Sequence, residues 1–326
     1  DVIAIRINFS EVITMTGTMG INLDSGGVCV ISGFTGTTAT GTYTVLAGHT
    51  SADLTAASVV VNTAAQDTAL NNLITTVPVT NIATGSNIII DTAAPTITSI
   101  TSSTANGSYK AGDVITIRIN FSEVITLTGT MGINLDSGGI CVISGFTGTT
   151  ATGTYTVLAG HSSADLTATS VVVNITARDV ALNNLVTTLP VTNIATGSNI
   201  IIDTTAPIIT SITSSTANGS YGVGSVVSIR INLSEPITLI GTMVINLDSG
   251  GFCVINAFAG TTATGTYTVG ASQNSLDLTA TSVAVNTTAR DAALNNLVVT
   301  LPVINIATGS NIIIDTTAPT ITSITS

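Results

Sequence analysis

The 326 residues combine a high apolar content (44%) with few charges (7%), the reverse of the balance that keeps a chain disordered. Six basic residues against 17 acidic ones, net −11, leave no basic face for phosphates and argue against a nucleic-acid partner. No apolar run reaches the roughly 18 residues of a membrane span, because Thr, Ser, Asn or Gly interrupts every stretch, and no signal peptide is recognisable.

An internal repeat organises the chain. Arg6, Arg118 and Arg230 stand in the phrases IRINFSE, IRINFSE and IRINLSE, 112 residues apart. Cys29, Cys141 and Cys253 keep that interval, as do Asp91, Asp203 and Asp315. The period is too long for a solenoid turn and fits one sandwich domain of about 100 residues. The expected units are residues 1–94, 95–206 and 207–318, with 319–326 as the first strand of a following repeat. Asp1 matches Asp113, so the first unit lacks its own first strand, and the chain stops ten positions short of closing the period. Such ends fit a segment of a longer array, or subunits that complete one another.

The second repeat shows the elements in order. Thr96–Ser102 (TITSITS) reads as a first strand, followed by an Asn106-Gly107 turn. Asp113–Phe121 alternates Ile115, Ile117, Ile119 and Phe121 against Thr116, Arg118 and Asn120, the period of a half-buried strand. A loop carrying Ser122-Glu123 leads to a third strand, GTMGINL, and Asp136-Ser-Gly-Gly turns into a fourth, ICVISGF. Thr150–Leu158 and Asp165–Asn174 make the fifth and sixth strands, the loop ARDVALNN follows, and Asn199–Ile202 is the seventh. Seven short strands without helical periodicity predict an all-β fold: tandem seven-stranded immunoglobulin-like β-sandwiches arranged as a rod. The Cys–Trp–Cys signature of antibody domains is absent, since Trp is zero and Cys occurs once per repeat. Each cysteine reads as a small buried hydrophobe, with an interchain disulfide as the alternative.

The phrases DTTAPTITSITSSTANGSY, AGDVITIRINFSE, ARDVALNNL and SNIIIDTTAP resemble the bacterial Ig-like repeats of large surface adhesins and biofilm-associated proteins. The resemblance covers the whole chain. It implies an Ig-like fold, an extracellular or cell-surface location, and a stalk or adhesive role.

All 17 acidic residues occupy six repeat positions, in the second copy Asp113, Glu123, Asp136, Asp165, Asp179 and Asp203. In a sandwich entered from one end, the loops of Glu123 and Asp179 share the end that faces the preceding repeat. Asp91 ends that preceding repeat. Asp91, Glu123 and Asp179 are therefore expected to converge at one junction, and Asp203, Glu235 and Asp291 at the next. Three clustered carboxylates repel unless a cation neutralises them, and Ca²⁺ takes six to eight oxygens; Asn183, Asn184 and carbonyls are further donors. Cadherins, by resemblance, place Ca²⁺ at such junctions. Solvated or salt-bridged loops are the alternative, with Arg178 and Arg290 as the neutralising groups.

Catalytic constellations are missing. His49 and His161 become Gln273 in the third copy, and neither belongs to a nucleophile or metal set. Asp113 and Glu123 close the two ends of one strand, about 30 Å apart, whereas paired glycosidase carboxylates lie within about 10 Å. Lys110 is the single lysine, so an isopeptide crosslink in each repeat is ruled out. The expected function is a non-enzymatic extracellular structural protein, the stalk or fibre of an adhesin or filament. A glycan- or cell-surface-binding module repeated along the chain is the alternative, weakened by an aromatic content of 3%. The expected partners are other copies of the chain, packed laterally or head to tail, and a host or neighbouring cell surface. Low surface charge favours lateral packing, because Thr, Ser, Asn and Ala faces are buried at little desolvation cost.

Overall fold

A computed structural model describes residues 1–325. Among the described residues the fold is all-β with three single-turn helices, and no helix is long and apolar enough to cross a membrane. Repeat 1 contains β1 (Val2–Leu23), β2 (Val28–Thr44), β3 (Ala56–Val61), β4 (Ala64–Gln66) and α1 (Ile82–Gly85). Repeat 2 contains β5 (Ile97–Ser102), β6 (Gly107–Tyr109), β7 (Val114–Leu135), β8 (Ile140–Thr156), β9 (Ser162–Ser163), β10 (Ala168–Val173), β11 (Thr176–Arg178), α2 (Ile194–Gly197) and β12 (Ile200–Asp203). Repeat 3 contains β13 (Ile209–Ser214), β14 (Gly219–Tyr221), β15 (Val226–Leu247), β16 (Phe252–Thr268), β17 (Ala280–Val285), β18 (Thr288–Arg290), α3 (Ile306–Gly309) and β19 (Ile312–Ile314). The largest buried clusters fall within residues 5–90, 97–202 and 209–314.

The spine of each repeat is one long antiparallel hairpin. β7 pairs with β8 from Val114↔Thr156 to Asn134↔Ile140, and β15 pairs with β16 in the same register. Along its other edge β7 meets three short strands in succession: β5 at residues 117–121, β11 at 126–128 and β10 at 131–135. A smaller sheet of β6, β12 and β9 completes the repeat, and Ile200 and Ile202 share one core with Ile115, Ile117 and Ile119. The alternating residues predicted to face inward do so, since Ile115, Ile117 and Ile119 are fully buried and Phe121 nearly so.

Two expected loops are absent. The segment around Ser122-Glu123 does not reverse the chain; the second and third expected strands are one strand, β7. The fourth and fifth merge likewise into β8. The stretch FSEV does not break the strand, and neither does LSEP with Pro236 at the same place in repeat 3, because a bulge leaves these residues out of the hairpin ladder. In repeat 2 the register steps there from Asn120↔Thr150 to Ile125↔Gly148. The true turn is Asp136-Ser-Gly-Gly. Its Gly139 packs against the Tyr155 ring, where a Cβ would lie 2.1 Å from a ring carbon.

Tyr155 anchors this turn from below. Its hydroxyl accepts from Ser137 Oγ (3.1 Å) and lies 2.8 Å from His161 Nδ1, which also accepts the Leu158 amide. In repeat 3 Gln273 Oε1 takes both roles, from Tyr267 (2.7 Å) and the Gly270 amide (2.6 Å). The histidine Nδ1 thus occupies the acceptor position that Gln273 Oε1 fills in repeat 3. The cysteines are free and have no exposed surface, and burial pushes Cys141 and Cys253 up to about 11. A thiol so enclosed cannot meet another chain.

Residues 319–325, expected as a strand, form none. A strand needs a neighbour for its N–H and C=O groups, and this segment has no second hairpin beside it. Ser326 lies outside the described residues.

Candidate metal centres

The geometry that brings the acidic residues together is built by strand pairing. β11 pairs Arg178 with Thr126, which sets Asp179 beside the bulge that carries Glu123. Asp91 arrives from the end of repeat 1. One carboxylate oxygen from each of Asp91, Glu123 and Asp179 lies within 4.8 Å of the others, and the same holds for Asp203, Glu235 and Asp291. All six residues expected to converge do so, in the two expected groups. The route differs from the expected one, because Glu123 sits on a mid-strand bulge and not on a loop between strands.

Asp179 and Asp291 are each 6% exposed, while the other four are half-buried. Burial and then the charges of Asp91 and Asp179 hold Glu123 above the usual carboxylate range. Glu235 is raised by burial and by Asp203 and Asp291. In each cluster it is the glutamate whose charged form is disfavoured.

The supporting residues act differently from expectation. Asn183 turns its amide nitrogen, not its oxygen, toward the cluster: Nδ2 donates to Asp179 Oδ2 (2.8 Å) and to the Asp91 carbonyl (3.1 Å). Asn295 repeats this with Asp291 and the Asp203 carbonyl. These asparagines thus tie successive repeats together directly. Asn184 accepts from Arg178 Nε at 2.8 Å, so Arg178 is engaged by an amide, as Arg290 is by Asn296. Leu182 and Leu294, with φ of 69° and 68°, hold the left-handed conformation that closes each DxxLNN loop. Periodicity gave no hint of that conformation, but the repeated Asn-Asn after Leu was a turn signal. Lys110 Nζ adds a further link between repeats, reaching the Leu294 carbonyl at 3.2 Å.

The donor chemistry fits a hard divalent cation: three carboxylates, no thiol and no imidazole. No protein-family model matches the chain, and no curated protein sequence matches it.

Proposed function

We propose that the chain is a non-enzymatic, extracellular structural protein, whose Ig-like repeats form the stalk or fibre of a bacterial surface adhesin or filament. The observation that carries this reading is the composition of the two acidic clusters. Each takes one carboxylate from the end of one repeat and two from the next. A cation held there would join repeats, stiffening the chain into a rod. Ca²⁺ is the ion whose hard, flexible oxygen coordination suits such a site, with water completing the shell.

The long edges support lateral packing between rods. β8 pairs on one side only, and its 17 residues ICVISGFTGTTATGTYT contain no charge and no proline. Exposed Ile140 and Val142 recur as Val28 and Val30, and as Phe252 and Val254, giving each repeat the same apolar patch. Edges of this kind invite pairing.

Solution scattering and thermal melting with calcium and with chelator test the joint. Calcium should lengthen the particle and raise its melting temperature, and Asp179→Asn with Asp291→Asn should remove both effects. Identical scattering curves and melting temperatures in the two buffers would sink the cation reading.

A further inference from the structure

We infer that Asn106-Gly107 and Asn218-Gly219 are self-modifying sites, where asparagine converts to isoaspartate or aspartate once the pairing of β6 with β12, or of β14 with β19, opens. Of all the asparagines in the chain only these two precede glycine. A glycine has no Cβ to hinder its nitrogen from attacking the side chain before it. Both pairs stand at exposed turns that lead into β6 and β14, where water reaches them. A Cβ at Gly107 would meet no atom within 4 Å, so no neighbouring side chain crowds the turn.

The chemistry needs no enzyme and no co-reactant but water. The Gly107 nitrogen gives its proton to solvent and attacks Asn106 Cγ; the new C–N bond closes a succinimide ring, and Nδ2 leaves as ammonia. Water then adds to one ring carbonyl and breaks its bond to nitrogen. Opening at Cγ gives aspartate, and opening at the backbone carbonyl gives isoaspartate. In the folded chain one residue holds both reacting groups. The Gly107 amide donates to the Asn199 carbonyl (3.0 Å), and the Asn199 amide donates to Asn106 Oδ1 (2.9 Å). Asn311 holds Gly219 and Asn218 at the same two distances. A nitrogen whose proton is engaged is harder to deprotonate, and a side chain held by its oxygen cannot turn its carbon onto that nitrogen.

The strands that guard Asn106 are the ones that reach the next repeat. Just past β6, Lys110 Nζ meets the Leu294 carbonyl; β12 ends at Asp203, whose carbonyl accepts from Asn295. β12 is fastened by Ile200 and Ile202, both buried in the core of repeat 2, so exposing the reactive pair takes a local opening of that strand. Isoaspartate adds a methylene to the backbone immediately before the pairs Ile200↔Gly107, Ile201↔Ser108 and Ile202↔Tyr109, and the strand cannot close again in that register. A transient opening at the joint thus leaves a covalent record and a lasting weakness. This chemistry requires neither the cation joints nor an extracellular setting.

Incubation of the 326-residue chain in mildly alkaline buffer, with and without urea, tests the inference by peptide mapping, with isoaspartate detected by enzymatic methylation. In urea, Asn106 and Asn218 should convert before any other asparagine, at the rate of a free peptide of residues 103–112. The folded chain should convert both at least about tenfold more slowly, since only the open fraction reacts. Asn199→Pro removes the N–H that holds Asn106 and should speed conversion there alone, with Asn218 in the same molecule as the reference. Asn199→Ala keeps both backbone groups and should change neither rate. Hydrogen exchange across β7 checks that repeat 2 of the proline variant stays folded; if it does not, the urea comparison still decides. The isoaspartate form, separated by chromatography, should exchange its β12 amides faster than the parent chain. Equal rates in the folded chain and the peptide, no conversion in urea, or another asparagine converting first overturns the inference. So does unchanged β12 exchange in the isoaspartate form.

Discussion

Ionising Glu123 adds a third negative charge to a cluster whose oxygens lie within 4.8 Å of one another, and burial removes part of the water that would screen them. Its raised pKa means that folding disfavours the charged form. The favourable state therefore prevails below the ordinary glutamate range and is lost as pH rises through and above it. Without a cation, Glu123→Gln should stabilise the chain at neutral pH by on the order of 0.5 kcal/mol, a small effect because solvent still reaches the group. The same substitution should abolish any gain in melting temperature from calcium. Calorimetry at pH 4 and pH 7 with chelator measures the first effect, and an unchanged or lower melting temperature for the variant at pH 7 would contradict it. The carboxylates of the site were legible from the repeat, because all three kinds recur at fixed positions. The role of Asn183 was not: an amide offers either end, and only the fold determines which one faces the acid.

His161 offers a second residue-scale test. Its Nδ1 accepts two hydrogen bonds that Gln273 Oε1 accepts in repeat 3. His161→Gln should therefore be neutral within about 0.5 kcal/mol, whereas His161→Ala should cost about 1 kcal/mol through two unmet donors. Gly139→Ala should cost more, about 2–3 kcal/mol, since a Cβ cannot stand 2.1 Å from the Tyr155 ring without displacing it. Urea unfolding of the three variants ranks them, and equal losses for Gln and Ala at position 161 would remove the acceptor argument.

Among the elements, strands were readable wherever one face is buried, because alternation is then enforced residue by residue. Their joins were not. Ser122-Glu123 resembles a loop by polarity, yet a bulge keeps the ladder running through it. The helices of residues 82–85, 194–197 and 306–309 also went unread, since one turn has no periodicity. Their capping pairs, Asn81 with Thr84 and Asn305 with Thr308, were the available signal. Each of these asparagines also bonds both backbone groups of the first residue of an earlier strand, Ala56 of β3 or Ala280 of β17.

The uncharged edge of β8 carries an element-scale prediction. Thr150, Thr152 and Thr154 are exposed, so Lys at these positions and their counterparts in β2 and β16 should leave melting unchanged within about 0.5 kcal/mol. Lateral association should fall sharply, because charged edges repel further strands. Electron microscopy of assembled material would distinguish bundles from separate threads. Bundles of the same width in the lysine variant would show that these edges do not carry the proposed lateral packing.

Across the whole molecule, repetition of sequence does not give repetition of stability. Repeats 2 and 3 each bury two isoleucines of a first strand, Ile97 and Ile100, and Ile209 and Ile212. Among residues 1–325 no first strand covers residues 5–9 of repeat 1, and its Ile88–Ile90 segment makes only an isolated bridge, Ser51↔Ile90, where β12 and β19 pair with β6 and β14. Burying each isoleucine contributes roughly 1.5–3 kcal/mol, so in a chain of these 326 residues repeat 1 should be several kcal/mol less stable than its neighbours. Unfolding of that chain should then begin in repeat 1, and its amides along Ile5–Phe9 should exchange fastest among the three equivalent segments. Hydrogen exchange resolved by peptide compares them directly with residues 117–121 and 229–233. Equal rates in all three segments would mean that the hairpin of repeat 1 holds this edge without help from a first strand.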